Sequence, residues 1–275
     1  MKFRGKMIDG NCIKQFMNLL TTMSKLGKAC VLRITSTHLY FIVKEPQSIS
    51  CSPVIWCTVE EGHFFSQYDM EGLNQVDNEI FLEFVAENVS KTLSVLKVSA
   101  SAKSVKIKLT RKISPCLTFE IDLASGSLHS RLIVHDIPVS IIPRRHWYEY
   151  TEPETPNANI SVHLPQLRLM KYIVERMKNL ANMATFHVTA QGSLTLTVET
   201  DTVSVTSHFD DLHVEKNTDD ESSVTIELKR LSNFLTNEQL NPNRVICDVV
   251  SSKMVHFNFL SDSYRLQFFL PGVSS

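Results

Sequence analysis

Residues 11–43 read NCIKQFMNLLTTMSKLGKACVLRITSTHLYFIV, and the change of period inside this stretch decides the fold. Cys12, Phe16, Leu19, Met23 and Leu26 recur at i, i+4, i+7, i+11 and i+14, a single apolar stripe along a helix. Past Gly27 the pattern turns to strand. Val31-Leu32-Arg33-Ile34 and Leu39-Tyr40-Phe41-Ile42-Val43 are β-branched and aromatic runs parted by the turn-like Ser36-Thr37. A long helix followed by an antiparallel hairpin is the expectation.

The same succession returns in the second half. Leu164-Pro165 opens a helix in which Met170, Ile173, Val174, Met177 and Leu180 keep the helical period, and Pro165 suits a first turn, where its missing N–H costs nothing. Two strands around a turn follow over Phe186 to Val198. Further on, each half runs a strand into a short helix: Glu79 to Glu83 leads to Ala86–Leu96, and Val224 to Leu228 leads to Lys229–Thr236. Each half then closes on paired strands, ending at Arg131 to Val134 and at Arg265 to Phe269. Val105-Lys106-Ile107-Lys108-Leu109 alternates, so its strand is buried on one face only, as in an antiparallel sheet. Duplication is the simplest account. The fold class is α+β, with a first domain over 1–136, a connector over 137–157 and a second domain over 158–275. Pro138, Pro143, Pro153 and Pro156 are expected to break regular structure in the connector and stiffen it.

The chain has 275 residues, and 28 Lys+Arg against 29 Asp+Glu give a net charge of -1. With 43% hydrophobic residues it is neither disordered nor a basic nucleic-acid tail. No apolar run reaches the ~18 residues of a membrane span, and Met1-Lys2-Phe3-Arg4-Gly5-Lys6 is not a secretory signal. An intracellular protein without a membrane anchor is expected. Cys12, Cys30, Cys51, Cys57, Cys116 and Cys247 form no C-x-x-C pair and read as free thiols.

No nucleophile elbow, phosphate loop, zinc-ligand pair or dinucleotide glycine pattern is present, so no catalytic residue, metal or cofactor is expected. His135-Asp136 are strand neighbours that point to opposite faces. His208 and Asp210 share a face but read as a strand-end turn, and Asp219-Asp220-Glu221 as a solvated loop. A hydrolase built on His208 and Asp210 is the enzymatic alternative.

The near-zero charge hides a one-sided distribution. Residues 11–28 hold Lys14, Lys25 and Lys28 and no acid, while residues 165–181 hold Arg168, Lys171, Arg176 and Lys178 against Glu175. With Lys91 and Lys97 in the first short helix, the four helical segments net +7 and the remaining chain -8. Lys14, Asn18, Thr21, Lys25 and Lys28 fall opposite the apolar stripe, and Arg168, Lys171, Glu175 and Lys178 repeat the pattern. An ordinary solvated face mixes signs for i,i+4 pairing. This one offers phosphates a diffuse cationic wall that reads no base sequence.

Several stretches resemble a known family. They include Met1-Lys2-Phe3-Arg4, Met70-Glu71-Gly72, Asn78-Glu79-Ile80, Pro115-Cys116-Leu117-Thr118 and Val134-His135-Asp136-Ile137-Pro138 through Trp147. Met170-Lys171 through Asn179, His208-Phe209 and Lys253-Met254-Val255-His256-Phe257 complete the set. Taken in order, they are similar to the HUS-type subunit of the heterotrimeric checkpoint sliding clamp, the 9-1-1 complex, with PCNA-like domains. The stretch Leu212 to Val224 looks shorter than in that family.

The resemblance implies antiparallel sheets outside and four helices on an inner face. Lys14, Lys25, Lys28, Lys91, Lys97, Arg168, Lys171 and Lys178 would then face duplex DNA without sequence specificity. It implies two other clamp subunits, joined by edge strands at Arg131, Leu132, Ile133, Val134 and His135 and at Thr202, Val203, Ser204, Val205 and Thr206 through Phe209. It also implies a clamp loader, checkpoint and repair factors, and a place in the nucleus, with cytoplasm before assembly. Ile141, Ile142 and Trp147 are candidate contributors to a client groove beside the connector, and a purely structural connector is the equal alternative. A homotrimeric replication-type clamp is the rival within the same fold.

Overall fold

The computed structural model describes residues 1–44, 55–98, 102–123, 131–236, 240 and 242–273, and the side chains of 95–98 are outside that description. The chain forms two compact units, Met1–Glu152 and Pro153–Ser275. No described helix is long and apolar enough to cross a membrane.

In the first unit β1 (Lys2–Met7) precedes α1 (Gly10–Leu26), the hairpin β2 (Ala29–Ile34) and β3 (His38–Val43), then β4 (Ile55–Glu60), the single turn α2 (Glu61–Phe64) and β5 (Gln67–Glu71). There follow β6 (Ile80–Val85), α3 (Ala86–Val98), β7 (Ala102–Arg111), β8 (Pro115–Leu123), β9 (Arg131–Pro138) and β10 (Ser140–Ile141). The strands lie in the orders β5-β1-β7-β8-β9 and β10-β6-β2-β3-β4.

Helix α1 begins because Asp9 caps it, its carboxylate accepting the Cys12 N–H at 2.8 Å. That bond to the backbone holds the Asp9 carboxyl below its ordinary range. The helix ends at Gly27, where a Cβ would lie 2.2 Å from Val43 Cγ1, so only glycine lets the chain turn this close to β3. Phe16 anchors the helix among Phe41, Phe64 and Phe65 at ring distances of 6.0, 5.7 and 5.8 Å. The buried stripe is wider than its period suggested. Ile13, Met17, Leu20, Thr21 and Thr22 are buried as well, because α1 packs on α3 in addition to the strands.

The second unit repeats the plan with β11 (Ile160–His163), α4 (Leu167–Met177), β12 (Met183–Thr189), β13 (Leu194–Glu199), β14 (Ser204–Phe209) and β15 (Val214–Asn217). It continues with β16 (Glu221–Glu227), α5 (Leu228–Leu235), β17 (Arg244–Val250), β18 (Met254–Leu260) and β19 (Tyr264–Pro271). Strand orders are β14-β13-β12-β16 and β19-β18-β17-β11-β15. Phe234 of α5 stacks on Phe257 at 4.0 Å and meets Phe259 and Phe268, which form the core under α5.

The opposite face of that sheet buries a polar chain. His256, fully buried, contacts Asp248 through Nδ1 at 2.8 Å and Gln267 through Nε2 at 3.2 Å, and Ser161 donates to Asp248 at 2.6 Å. Phe269 stacks on the imidazole at 4.5 Å. The Asp248 carboxylate is largely shielded from solvent, and both its oxygens are occupied, as such a position requires.

Each unit also closes a strand edge with its own chain. In the first, β10 pairs with β6, and Ile142 N–H bonds to Phe81 carbonyl at 3.0 Å. In the second, Val273 N–H bonds to Thr225 carbonyl and Ser252 N–H to Ser223 carbonyl, both at 2.8 Å, along β16.

The expectation that prolines break regular structure from Asp136 onward needs correction. β9 runs through Pro138, β10 follows at once, and Arg144–Tyr150 forms a 3₁₀ helix. Pro138 suits this edge because nothing pairs with it on the outer side. Residues 137–152 thus lie with the first unit.

Candidate nucleic-acid interface and open strand edges

The cations along α1 and just past its end stand as the period placed them. Lys14, Lys25 and Lys28 are exposed, and among the described residues none has a partner. Lys25 lies in the last turn, where a cation complements the helix dipole. Thr21 departs from the expectation. It is buried at 8% exposure, on a helix that packs against α3 as well as the strands. Lys91 pairs with Glu87 one turn earlier at 2.7 Å and holds that carboxyl below its ordinary range. Lys97 lies outside the described side chains.

Helix α4 is rotated relative to the sequence reading. Its flank carrying Lys171, Glu175 and Lys178 is half-buried. Lys178 Nζ bonds Glu175 at 2.7 Å and Ser232 Oγ of α5 at 3.2 Å, while Ser232 donates to Glu175. The Lys178 ammonium, then the Ser232 hydroxyl, lower the Glu175 carboxyl. The solvent face is instead Arg168, Leu169, Tyr172, Arg176, Asn179 and Leu180. Arg176 sits 4.2 Å over the Tyr172 ring. Leu180, expected on the apolar stripe, is 49% exposed. Sequence reasoning counted Arg176 in the charge of this segment but put neither it nor Tyr172 on the exposed face, because the packing of α5 against α4 leaves no mark in the helical period.

β9 and β14 each end a sheet order and pair on one side only, with β8 and β13. On β9, Arg131, Ile133, His135 and Ile137 share the helix side with Phe119 and Ile121, and Leu132, Val134 and Asp136 share the outer side. Leu132 and Val134 are 60% and 50% exposed. Asp136 binds Lys112 and Thr118, which lower its carboxyl, on the face opposite His135. β14 begins at Ser204, and Thr202 and Val203 belong to the preceding bend.

Ile142 is buried among Val31, Ile42, Trp56 and Phe81. Trp147 stacks on Phe81 at 4.7 Å and donates its Nε1–H to Ile142 carbonyl at 3.0 Å. These two side chains fasten the segment to the first unit, and Ile141 is exposed. His208 contacts Thr195 Oγ at 3.3 Å, whereas Asp210 accepts from Ser193 at 2.8 Å, so the two are occupied separately. Cys30, Cys57, Cys116 and Cys247 are buried free thiols, and burial pushes Cys30 up to about 12. No cluster able to hold a metal occurs among the described residues.

The family of Hus1-like proteins matches residues 1–274. The chain is 39% identical over 284 residues to checkpoint protein HUS1 of Homo sapiens, covering 100% of both chains. It is 31% identical to checkpoint protein Hus1-like of Drosophila melanogaster, covering 99% of each. Among solved structures, the proliferating cellular nuclear antigen of Entamoeba histolytica superposes with a TM-score of 0.73 at 12% identity, over 99% of both chains. That of Thermococcus kodakaraensis gives 0.68 at 16% identity, over 98% of this chain and 99% of the other. The fold is that of a PCNA-like clamp, and the chain belongs to the Hus1-like family.

Proposed function

We propose that this member of the Hus1-like family is a non-catalytic subunit of a heterotrimeric ring that encircles duplex DNA in damage-checkpoint signalling and repair. The observation that carries the reading is the full-length match to checkpoint proteins on a clamp fold. The physical chemistry supports it. Three exposed lysines, two on a rigid helix and one just past its end, unpaired among the described residues, attract phosphates without reading bases. A ring that slides needs such contacts, since any fixed register would trap it. β9 and β14 provide unfilled ladders for neighbouring subunits of the same fold.

In the ring, Lys14, Lys25 and Lys28 face the duplex first, and Arg168, on the solvent face of α4, joins them with a contact of its own. Lys91, Lys171 and Lys178 are tempered by their own partners. A loader places the ring, checkpoint and repair factors use it, and the site of action is the nucleus, with the free subunit in the cytoplasm before assembly.

The test is co-purification with two candidate clamp subunits, with mass measured by light scattering. A one-to-one-to-one ring supports the reading. A stable homotrimer of this chain alone favours a replication-type clamp and refutes it.

A further inference from the structure

We propose that the outer face of β1 and β7, with the cleft at one end of it, docks an extended acidic peptide that carries an aromatic side chain at its leading end. Neither α1 nor the edges of β9 and β14 takes part, so the site is independent of the ring reading.

Strand alternation collects the cations. Phe3, Gly5 and Met7 of β1 are buried on the helix side, which turns Lys2, Arg4 and Lys6 to the outer side. On β7, Val105 and Ile107 are buried, and Lys106 and Lys108 point outward. The register sets Arg4 directly against Lys108 and Lys6 directly against Lys106. Like charges in such positions oppose folding. Lys2 is answered by Glu71 at 2.9 Å and Lys108 by Glu120 at 2.7 Å. Arg4, Lys6 and Lys106 have no ion-pair partner among the described residues. Outside the four helical segments the chain nets -8, so three unanswered cations side by side run against their surroundings.

The flanks narrow the choice of ligand. Asp69 and Glu71 border the strip on β5, and Glu120 and Asp122 border it on β8. The cationic strip is therefore two strands wide, with about 5 Å between the strands. A DNA duplex, broader than the strip and charged all round, would press phosphates onto both acidic borders. A single extended peptide fits between them. Its side chains return to one face every second residue, about 6.8 Å apart, the spacing of Arg4 and Lys6.

At the Lys2 end the strip opens into a cleft of about 610 Å³. Phe3, Tyr68, Met70 and Leu109 give it apolar walls, and Tyr68 is held in place by donating its hydroxyl to Thr35 carbonyl at 2.7 Å. Lys2, Arg4 and Lys108 stand at the same cleft. Its acids are Asp69 and Glu71, and Glu71 is taken up by Lys2. Apolar walls with a few charged groups beside them are the usual form of a ligand site of this size. An aromatic side chain enters the cleft, and the acids that follow it lie along Arg4, Lys6 and Lys106.

The test is fluorescence anisotropy on the full chain alone, with a labelled synthetic peptide of one Phe followed by Asp at alternate positions separated by Ser. The wild type is expected to bind it. R4Q/K6Q/K106Q should bind about tenfold more weakly, the sum expected of three exposed ion pairs, and should melt cooperatively at no lower temperature. A wild type that does not bind the peptide overturns the proposal, as does a triple variant that binds at full strength. A labelled duplex that binds more tightly than the peptide and is weakened by the same three changes also overturns it, since the face would then serve nucleic acid.

Should the variant not fold, two altered peptides read the site on the wild-type chain. Replacing every Asp by Asn should weaken binding about tenfold, and replacing the Phe by Ser should do the same. Undiminished binding of either altered peptide overturns the proposal. Failure of the ring reading shows separately, as absence of co-assembly with other clamp subunits.

Discussion

Removing Lys14, Lys25 and Lys28 together, each to alanine, changes how DNA affinity depends on salt more than it changes the protein. All three side chains are exposed and unpaired among the described residues, so their truncation breaks no internal contact. Each phosphate neutralised contributes a slope of about -0.9 in log affinity against log salt. Between about 50 and 200 mM salt, one such contact accounts for about a 3.5-fold loss of affinity, and three for about 40-fold. The assembled ring carrying the triple variant should therefore lose about 40-fold less affinity than the wild type across that range. Lys178→Ala is the internal control. Its ammonium already serves Glu175 at 2.7 Å and Ser232 at 3.2 Å, so its removal should move the slope little and lower stability instead. Fluorescence anisotropy on a labelled duplex at several salt concentrations measures both. A triple variant with an unchanged slope, or a Lys178 variant that flattens it as much as loss of Lys14 or Lys25, would overturn this expectation.

Other outcomes follow from contacts described above. Trp147→Ala removes a ring stacked on Phe81 and the bond to Ile142 carbonyl. Urea unfolding should show a loss of about 2–4 kcal/mol, with faster hydrogen exchange at the Ile142 amide. His256→Ala leaves Asp248 facing a void and should cost about 3 kcal/mol or more by the same assay, with partial recovery in D248N/H256Q. The Glu175 carboxyl is lowered in the folded chain, so its stabilisation is complete above the ordinary value of 4.5 and is lost as pH falls through the folded value. The gap in melting temperature between wild type and Glu175→Gln should therefore be steady near neutrality and close below pH 4.5, and a gap that widens in acid would contradict this.

Much of the fold was legible because two periods carry it. The 3.6-residue stripe of α1 and the alternation of β7 each report a single buried face, and their recurrence in the second half exposed the duplication. What escaped depended on packing between elements. Thr21 is polar and sits at a solvent-face position, yet it is buried, on a helix that packs against α3 as well as the strands. The rotation of α4, which exposes Tyr172 and Arg176, is set by a bond network to Ser232 more than fifty residues away. His256 and Asp248 lie opposite each other across β17 and β18, and no local pattern shows that register. The single turn α2 is too short to carry a period. In the connector, prolines marked irregular backbone, but Val139 and Ile142 carried an apolar signal, and burial of those two in the first unit prevailed.

The sealed edges along β6 and β16 have a consequence for how molecules of this kind meet. Where Ile142 and Val273 already occupy the backbone ladder, a passing strand finds nothing to grip. The outward amides and carbonyls of β9 and β14 remain available, and they belong to different units of the chain. If these two unlike edges are the ones that join, as the proposed ring requires, every assembly has a direction, head to tail. A head-to-tail chain of identical members either curls shut or lengthens into a fibre.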